Sequence, residues 1–268
     1  LRLRLAVLAA CAGVLLSACS VVKPSLYEQL GGDKAALWEA FRNHTGAGRP
    51  GEPVRISAAL YYFGKTRKNR TTINLWGVQG EAMRLDVQAG FGTLVSAWLE
   101  RRDYFLAYFP NEEVAYASRD LLAGQETLGL PLPLTLLDLA DLAMGRLDAM
   151  APAQYDRAEE TLTGVRYFFD TGPLASLSLD KKGRPVAAAG RAPVPYRIEI
   201  DEYPEKKDGF AERIAVKTDE ASALLRVKSL EHRIEPWPEQ ALELKLPKNT
   251  RIIWLEGEAP QGALKSGS

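Results

Sequence analysis

The most regular feature of the chain is a two-residue alternation of apolar and polar side chains. Met83, Leu85 and Val87 alternate with Arg84 and Asp86, and Tyr196, Ile198 and Ile200 alternate with Arg197, Glu199 and Asp201. Successive side chains of a strand point to opposite faces, so each stretch predicts a strand with one apolar face. Segments rich in Val, Ile, Leu and aromatics at 54–63, 71–78, 82–88, 93–100, 103–109 and 113–117 form a first run. A second run covers 164–170, 173–180, 195–203, 211–217, 222–230 and 251–256. The gaps are short, which predicts antiparallel hairpins in a meander. Tyr104 to Phe109 is apolar on both faces, so that strand is expected to be covered on both sides.

Two stretches carry a helical period instead. Ser25 and Glu28 fit a capping box, and Gly31-Gly32 then interrupts the chain. Asp33 is placed to cap a helix through about Asn43, with Leu37 and Phe41 on one face. Between the strand runs, residues 120–150 read as helical. Gly129 to Pro133, GLPLP, forces an extended approach. Thr135 can cap with Asp138, and Leu136, Leu139, Ala140, Ala143 and Leu147 share one face. The simplest packing is mainly β with a helical lid: one curved antiparallel sheet of about 11–12 strands forming an incomplete β-barrel. It is expected as a single domain over 33–256, with the helical insert near 120–150.

Composition narrows the partners. The 268 residues hold 34 Lys plus Arg against 34 Asp plus Glu, so no basic surplus points to nucleic acid. The N-terminus is more specific. Arg2 and Arg4 precede an apolar run from Leu5 to Leu16, too short for an ordinary membrane span. Leu16-Ser17-Ala18-Cys19 resembles the bacterial lipobox. That resemblance implies a signal peptide over 1–18, an acylated Cys19 as the new N-terminus, and a lipidated tether over 19–32. Ser20, in place of Asp, favours anchoring in the outer membrane, facing the periplasm. The only cysteines, Cys11 and Cys19, lie in this region. The mature domain is therefore expected to hold no disulfide and no cysteine nucleophile. The tail over 257–268 is rich in Gly, Ala and Ser and reads as flexible.

A search for catalytic chemistry finds little. His44 ends a helix, and His232 sits in the charged run Glu231-His-Arg233. Gly46-Ala-Gly48-Arg-Pro-Gly51 matches a dinucleotide fingerprint by letter, but it lies between a helix and a strand in the wrong order. Glu112-Glu113 and Glu159-Glu160 read as solvated turns or a helix start. No enzyme activity, cofactor or metal is expected. The five Trp and ten Tyr either fill an ordinary core or line an apolar cavity suited to acyl chains. Leu85, Val87 and Trp98 on the sheet, with Leu136, Leu139 and Ala143 on the helical insert, are the candidate cavity-lining residues.

One short loop remains, Gln88-Ala-Gly90-Phe91-Gly92-Thr93. Hairpin tips usually carry Asn, Asp, Ser or Gly, so Phe91 either folds into the core or faces something other than water. The order of features resembles LolB, the outer-membrane lipoprotein that receives lipoproteins from the periplasmic carrier LolA. The likeness rests on the lipobox, the meander with its apolar-tipped loop, and Leu121 to Leu147 with Gly129, Leu130, Pro131, Leu134 and Gly145. The Trp that the family carries in this segment is missing here. The ending Leu246-Pro-Lys-Asn-Thr-Arg-Ile-Ile253 is also similar to the family's final strand. The resemblance implies an unclosed barrel whose apolar cavity holds lipoprotein acyl chains, transfer without nucleotide, a LolA-like partner and a monomer. It also implies that Gly90, Phe91 and Gly92 form a membrane-inserting loop. The alternative is a non-catalytic envelope scaffold or sensor lipoprotein of the same fold.

Overall fold

The computed structural model describes residues 24–44, 51–65, 68–128, 133–191, 194–203 and 210–256. The expected signal peptide and Cys19, the Gly46–Gly48 stretch, Gly129–Leu132, most of the charged stretch after Glu202 and residues 257–268 lie outside the described residues.

Two helices come first, α1 (Leu26–Gln29) and α2 (Lys34–His44). Ser25 and Glu28 form the reciprocal capping box that their spacing predicts. Asp33 caps α2 by accepting from the Ala35 amide at 2.8 Å. Tyr27 is buried and its amide donates to the Lys181 carbonyl. Helix α1, within the stretch 19–32 expected as a tether, thus has a core residue to bury.

The first strand run holds β1 (Pro53–Phe63), β2 (Lys68–Val78), β3 (Ala82–Ala89), β4 (Thr93–Arg101), β5 (Phe105–Phe109) and β6 (Val114–Ser118). The insert follows as two helices, α3 (Leu121–Thr127) and α4 (Leu136–Ala143). The second run holds β7 (Arg157–Glu160), β8 (Gly164–Phe168), β9 (Leu174–Asp180), β10 (Pro185–Gly190), β11 (Tyr196–Glu202), β12 (Arg213–Lys217) and β13 (Ser222–His232). A short 3-10 turn at Glu239–Leu242 leads to β14 (Arg251–Trp254).

All fourteen strands form one open sheet in the order β14-β6-β5-β4-β3-β2-β1-β13-β12-β11-β10-β9-β8-β7. The β1–β13 pairing joins the two runs into one antiparallel surface, so neither run is a separate domain. This is the curved, unclosed antiparallel barrel with a helical lid. Three details correct the sequence reading. The polar strand β7 carries Glu159 and Glu160 on the sheet edge. The alanine-rich strand β10 lies between the stretches 173–180 and 195–203, where the pattern predicts no strand. The last strand, β14, pairs with β6 in parallel, because the chain crosses the outer face before it reaches that edge.

That crossing explains the two-sided apolar strand. The Trp237 indole donates to the Gly77 carbonyl, the Trp76 indole to Ala241, and the Arg84 guanidinium to Glu243. Leu244, Leu246, Ile252 and Trp254 then pack over Leu106, Ala115 and Ala117 on the outer face. The inner face of the same strands, with Phe105 and Ala107, belongs to the main core.

Antiparallel order distributes the turns onto two rims. Register pairs such as Phe63 with Ser222, Tyr196 with Gly190, and Gly190 with Leu174 fix the first rim. It carries the tips of β1–β2, β3–β4, β5–β6, β8–β9, β10–β11 and β12–β13. The second rim carries the other connections, including the Lys181–Gly183 turn against which α1 packs.

Candidate functional site

The inner face of the sheet is apolar and the helices sit on it. Leu85 and Trp98 are cross-strand partners on β3 and β4. Both join Leu136, Leu139 and Ala143 of α4 in one buried cluster, and Val87 packs against its margin, half-buried. The six candidate cavity residues are thus brought together. They are also closed upon one another: Leu85 is 1% exposed, Trp98 3%, and Leu136 and Ala143 0%. The lid is down and its apolar stripe fills the space above the sheet.

Helix α4 is held over the second rim by polar contacts at both ends. Thr135 and Asp138 make a capping box, as their spacing predicts. The larger anchor is Glu100 at the end of β4, which is fully buried. Its carboxylate accepts from the Leu136 amide at 2.7 Å, the Leu137 amide at 3.4 Å and the Gln125 side chain of α3 at 2.8 Å. One carboxylate therefore ties both lid helices to the sheet, and it meets α4 at its partly positive end. Burial pushes the Glu100 carboxyl up to about 7, against the lowering effect of those hydrogen bonds. At the other end of α4, Gln79 donates to Asp141 at 3.2 Å and accepts from Arg146 at 2.6 Å. Burial raises Asp141 to about 6, partly offset by the nearby Arg146.

The first rim is built differently. Inner-face rings make a ladder: Phe105 stacks on Trp98 at 5.8 Å, Trp98 meets Phe109 edge-on at 6.0 Å, and Phe109 meets Tyr116 at 5.8 Å. Phe105 and Trp98 are buried, whereas Phe109 and Tyr116 are only partly covered. The ladder thus leads from the core toward the first rim, where Phe109 ends β5.

Beside it stands the β3–β4 hairpin. Ala89 pairs with Thr93, leaving Gly90-Phe91-Gly92 as the tip. Gly90 has φ +56° and Gly92 φ +97°, a backbone that side-chain-bearing residues rarely adopt. With both glycines turned this way, Phe91 stands wholly outside the fold at 110% relative exposure. Nothing among the described residues covers the ring.

Phe105, Phe109, Tyr116, Glu100 and Gln125 were not singled out from sequence. Glu100 was legible: it lies two residues beyond Trp98, on the same strand face, and so points into the core. The ring ladder was not, since it needs the register between β4, β5 and β6. His232 is exposed and lies 3.2 Å from Glu52. Among the described residues, no group of three or more His, Cys, Asp or Glu could hold a metal ion. No described helix is long and apolar enough to cross a membrane. A polar recess of about 330 Å³, lined by Glu81, Arg101, Arg102, Asp103 and Glu239, lies at the second rim and has mixed charge.

No protein-family model and no curated protein matches the chain. Its fold does have solved neighbours. A LolA superfamily protein from Nitrosomonas europaea matches with TM-score 0.54 at 11% identity, over 78% of this chain and 97% of that one. A domain assigned to outer membrane lipoprotein sorting, from Vibrio parahaemolyticus, matches with TM-score 0.51 at 12% identity, over 76% and 94%. A DUF1329 family protein from Desulfovibrio piger matches with TM-score 0.55 at 8% identity, over 78% and 98%. At such identities the likeness concerns the fold alone: the chain shares the open, helix-covered antiparallel sheet of these structures.

Proposed function

We propose that this protein is a membrane-anchored lipoprotein acceptor that binds lipoprotein acyl chains on the inner face of its sheet and passes them to the outer membrane. The observation that carries this reading is Phe91, wholly exposed on a glycine-flanked tip beside a ladder of rings that runs into an apolar core. Isolated exposed apolar groups are common, but an aromatic hairpin tip at the rim of an apolar half-barrel fits contact with lipid. Acyl chains would enter past Phe109 at the first rim and reach Trp98 as α4 lifts from Leu85 and Trp98. Each buried methylene contributes about 0.8 kcal/mol, so a few chains suffice to displace an eight-residue helix. Transfer then needs no nucleotide, because acyl affinity rises from a LolA-like carrier to this protein to the bilayer. The protein acts as a monomer and not as an enzyme. Cys19 holds it at the outer membrane, facing the periplasm.

A second reading, a non-catalytic envelope scaffold or sensor of the same fold, draws support from the closed packing of α4 on the sheet. Complementation of a LolB-depleted strain separates the two. Rescue by the wild type and failure by Phe91→Glu is the expected result. An expressed, correctly localised wild type that does not rescue favours the scaffold. Full rescue by Phe91→Glu removes the role of the loop.

A further inference from the structure

The Phe91 hairpin carries no charge: from Val87 to Trp98 every residue is neutral. Its neighbour on the same rim is the opposite. The β1–β2 tip reads Phe63-Gly-Lys-Thr-Arg-Lys-Asn-Arg70, four cations in six residues. Phe63 is 42% exposed, and Lys65, Lys68 and Arg70 all face solvent; Arg67 lies outside the described residues.

Register gives the relative height of the two tips. Thr72 on β2 pairs with Gln88 on β3. From that pair Lys68 lies four residues toward the rim, and Phe91 three. At about 3.3 Å per residue Lys68 and Phe91 lie a similar distance beyond that pair, roughly 10–13 Å. A flat surface that receives Phe91 therefore also meets the basic tip.

We propose that the β1–β2 tip is a contact for anionic phospholipid headgroups, set beside Phe91 so that charge brings the rim to the bilayer and the ring then enters it. The proposal rests on the membrane-facing reading of Phe91. Charge complementarity selects the lipid class. Lys65, Lys68 and Arg70 present positive charge within one hairpin, with Arg70 stacked over Tyr61 at 5.3 Å. Lys65 meets Glu220 at 3.1 Å, but both side chains are largely exposed, and such pairs hold little energy. The acidic turns flank this sector, with Asp219 and Glu220 on β12–β13 and Glu112 and Glu113 on β5–β6. They confine the attraction to the two hairpins and so orient the barrel. Clustered Lys and Arg beside an apolar anchor is the arrangement that makes membrane binding depend on anionic lipid and on salt.

The test uses the processed, acylated chain in vesicles. Its only remaining cysteine is the acylated one, so Asn69→Cys takes a single environment-sensitive fluorophore at the basic tip. A second protein carries the label at Thr93→Cys beside Phe91. In vesicles of phosphatidylcholine with about one-third phosphatidylglycerol, the label at 69 is expected to blue-shift. In pure phosphatidylcholine, or at high salt, the shift should disappear. In the anchored chain, Lys68→Glu with Arg70→Glu should remove most of the blue-shift at 69 in anionic vesicles. A shift at 69 that is equal in neutral and anionic vesicles, or indifferent to that double substitution, overturns the proposal. If the label at 93 enters the bilayer while that at 69 does not, the headgroup contact fails and the Phe91 reading stands. If neither enters, both fail.

Discussion

At the scale of single residues, Phe91 and Glu100 are opposites. A ring with no covering neighbour adds nothing to the packing of the folded state, so its removal leaves stability nearly untouched. Phe91→Glu is expected to change unfolding free energy by no more than about 0.5 kcal/mol, as at other surface sites. Lipoprotein delivery to vesicles should fall sharply in the same variant. A thermal melt and a transfer assay on one preparation check both. Glu100 is buried and holds three donors. Its carboxyl is raised to about 7 in the fold, above its unfolded value of about 4.3. Between those two values the native state binds more protons than the unfolded state. Its contribution to stability is therefore fully present below pH ~4 and is lost as pH rises through about 7. Asp141, raised to about 6, acts in the same direction. Glu100→Gln should flatten this decline in a denaturation series from pH 5 to 8. An unchanged pH profile in that variant would mean that Glu100 ionises as freely in the fold as out of it.

Among elements, the lid helix is short and depends on its ends. Eight residues are too few for a stable isolated helix, so α4 relies on the Thr135 cap, on Glu100 and on its apolar stripe. Thr135→Ala is expected to cost about 1 kcal/mol. The loss should show as faster hydrogen exchange in Leu136–Ala143, with the β1–β13 amides unchanged. Uniform acceleration across the sheet would deny the lid its independence. The caps at Ser25, Asp33 and Thr135 were legible because each is a local side-chain-to-backbone contact at fixed spacing. Strands with alternating faces were legible for the same reason. The two missed strands lack that signal. The edge strand β7 is Arg-Ala-Glu-Glu, whose charges keep other chains from pairing there but erase the apolar face. In β10, Pro-Val-Ala-Ala-Ala-Gly has weak strand propensity. A Cβ at Gly190 would lie 2.0 Å from the Tyr196 ring, so the strand needs its glycine. Lys181-Lys-Gly183 does read as a tight turn in the sequence, and a turn there implies a partner strand after it. Parallel pairing of β14 was beyond reach, since it depends on a crossing set by Trp76, Arg84 and Trp237.

Over the whole molecule, the two rims are built differently. Lid helix α4 spans the second rim, and the ring ladder with its two projecting hairpins marks the first. Helix α1 packs at the second rim, opposite Phe91. Cys19 precedes Pro24 by five residues, a reach of at most about 18 Å, whereas the eleven-residue strand β1 spans roughly 35 Å before tilt. An acylated Cys19 and Phe91 meet the same bilayer only if the strands lean well away from the membrane normal. Neutron reflectometry on the anchored protein should therefore find a thin, tilted layer. A tall layer with Phe91 distal to the lipid would assign that tip to a partner beyond the membrane.

The central claim is that acyl chains occupy the inner face of the sheet, and Trp98 sits where they would lie. The direct measurement is indole fluorescence during titration with a lipopeptide whose acyl chains carry bromine, a short-range quencher. Saturable quenching that largely disappears in Trp98→Phe is the predicted result. Emission unaffected by the brominated chains, or quenching that persists undiminished without Trp98, would contradict it.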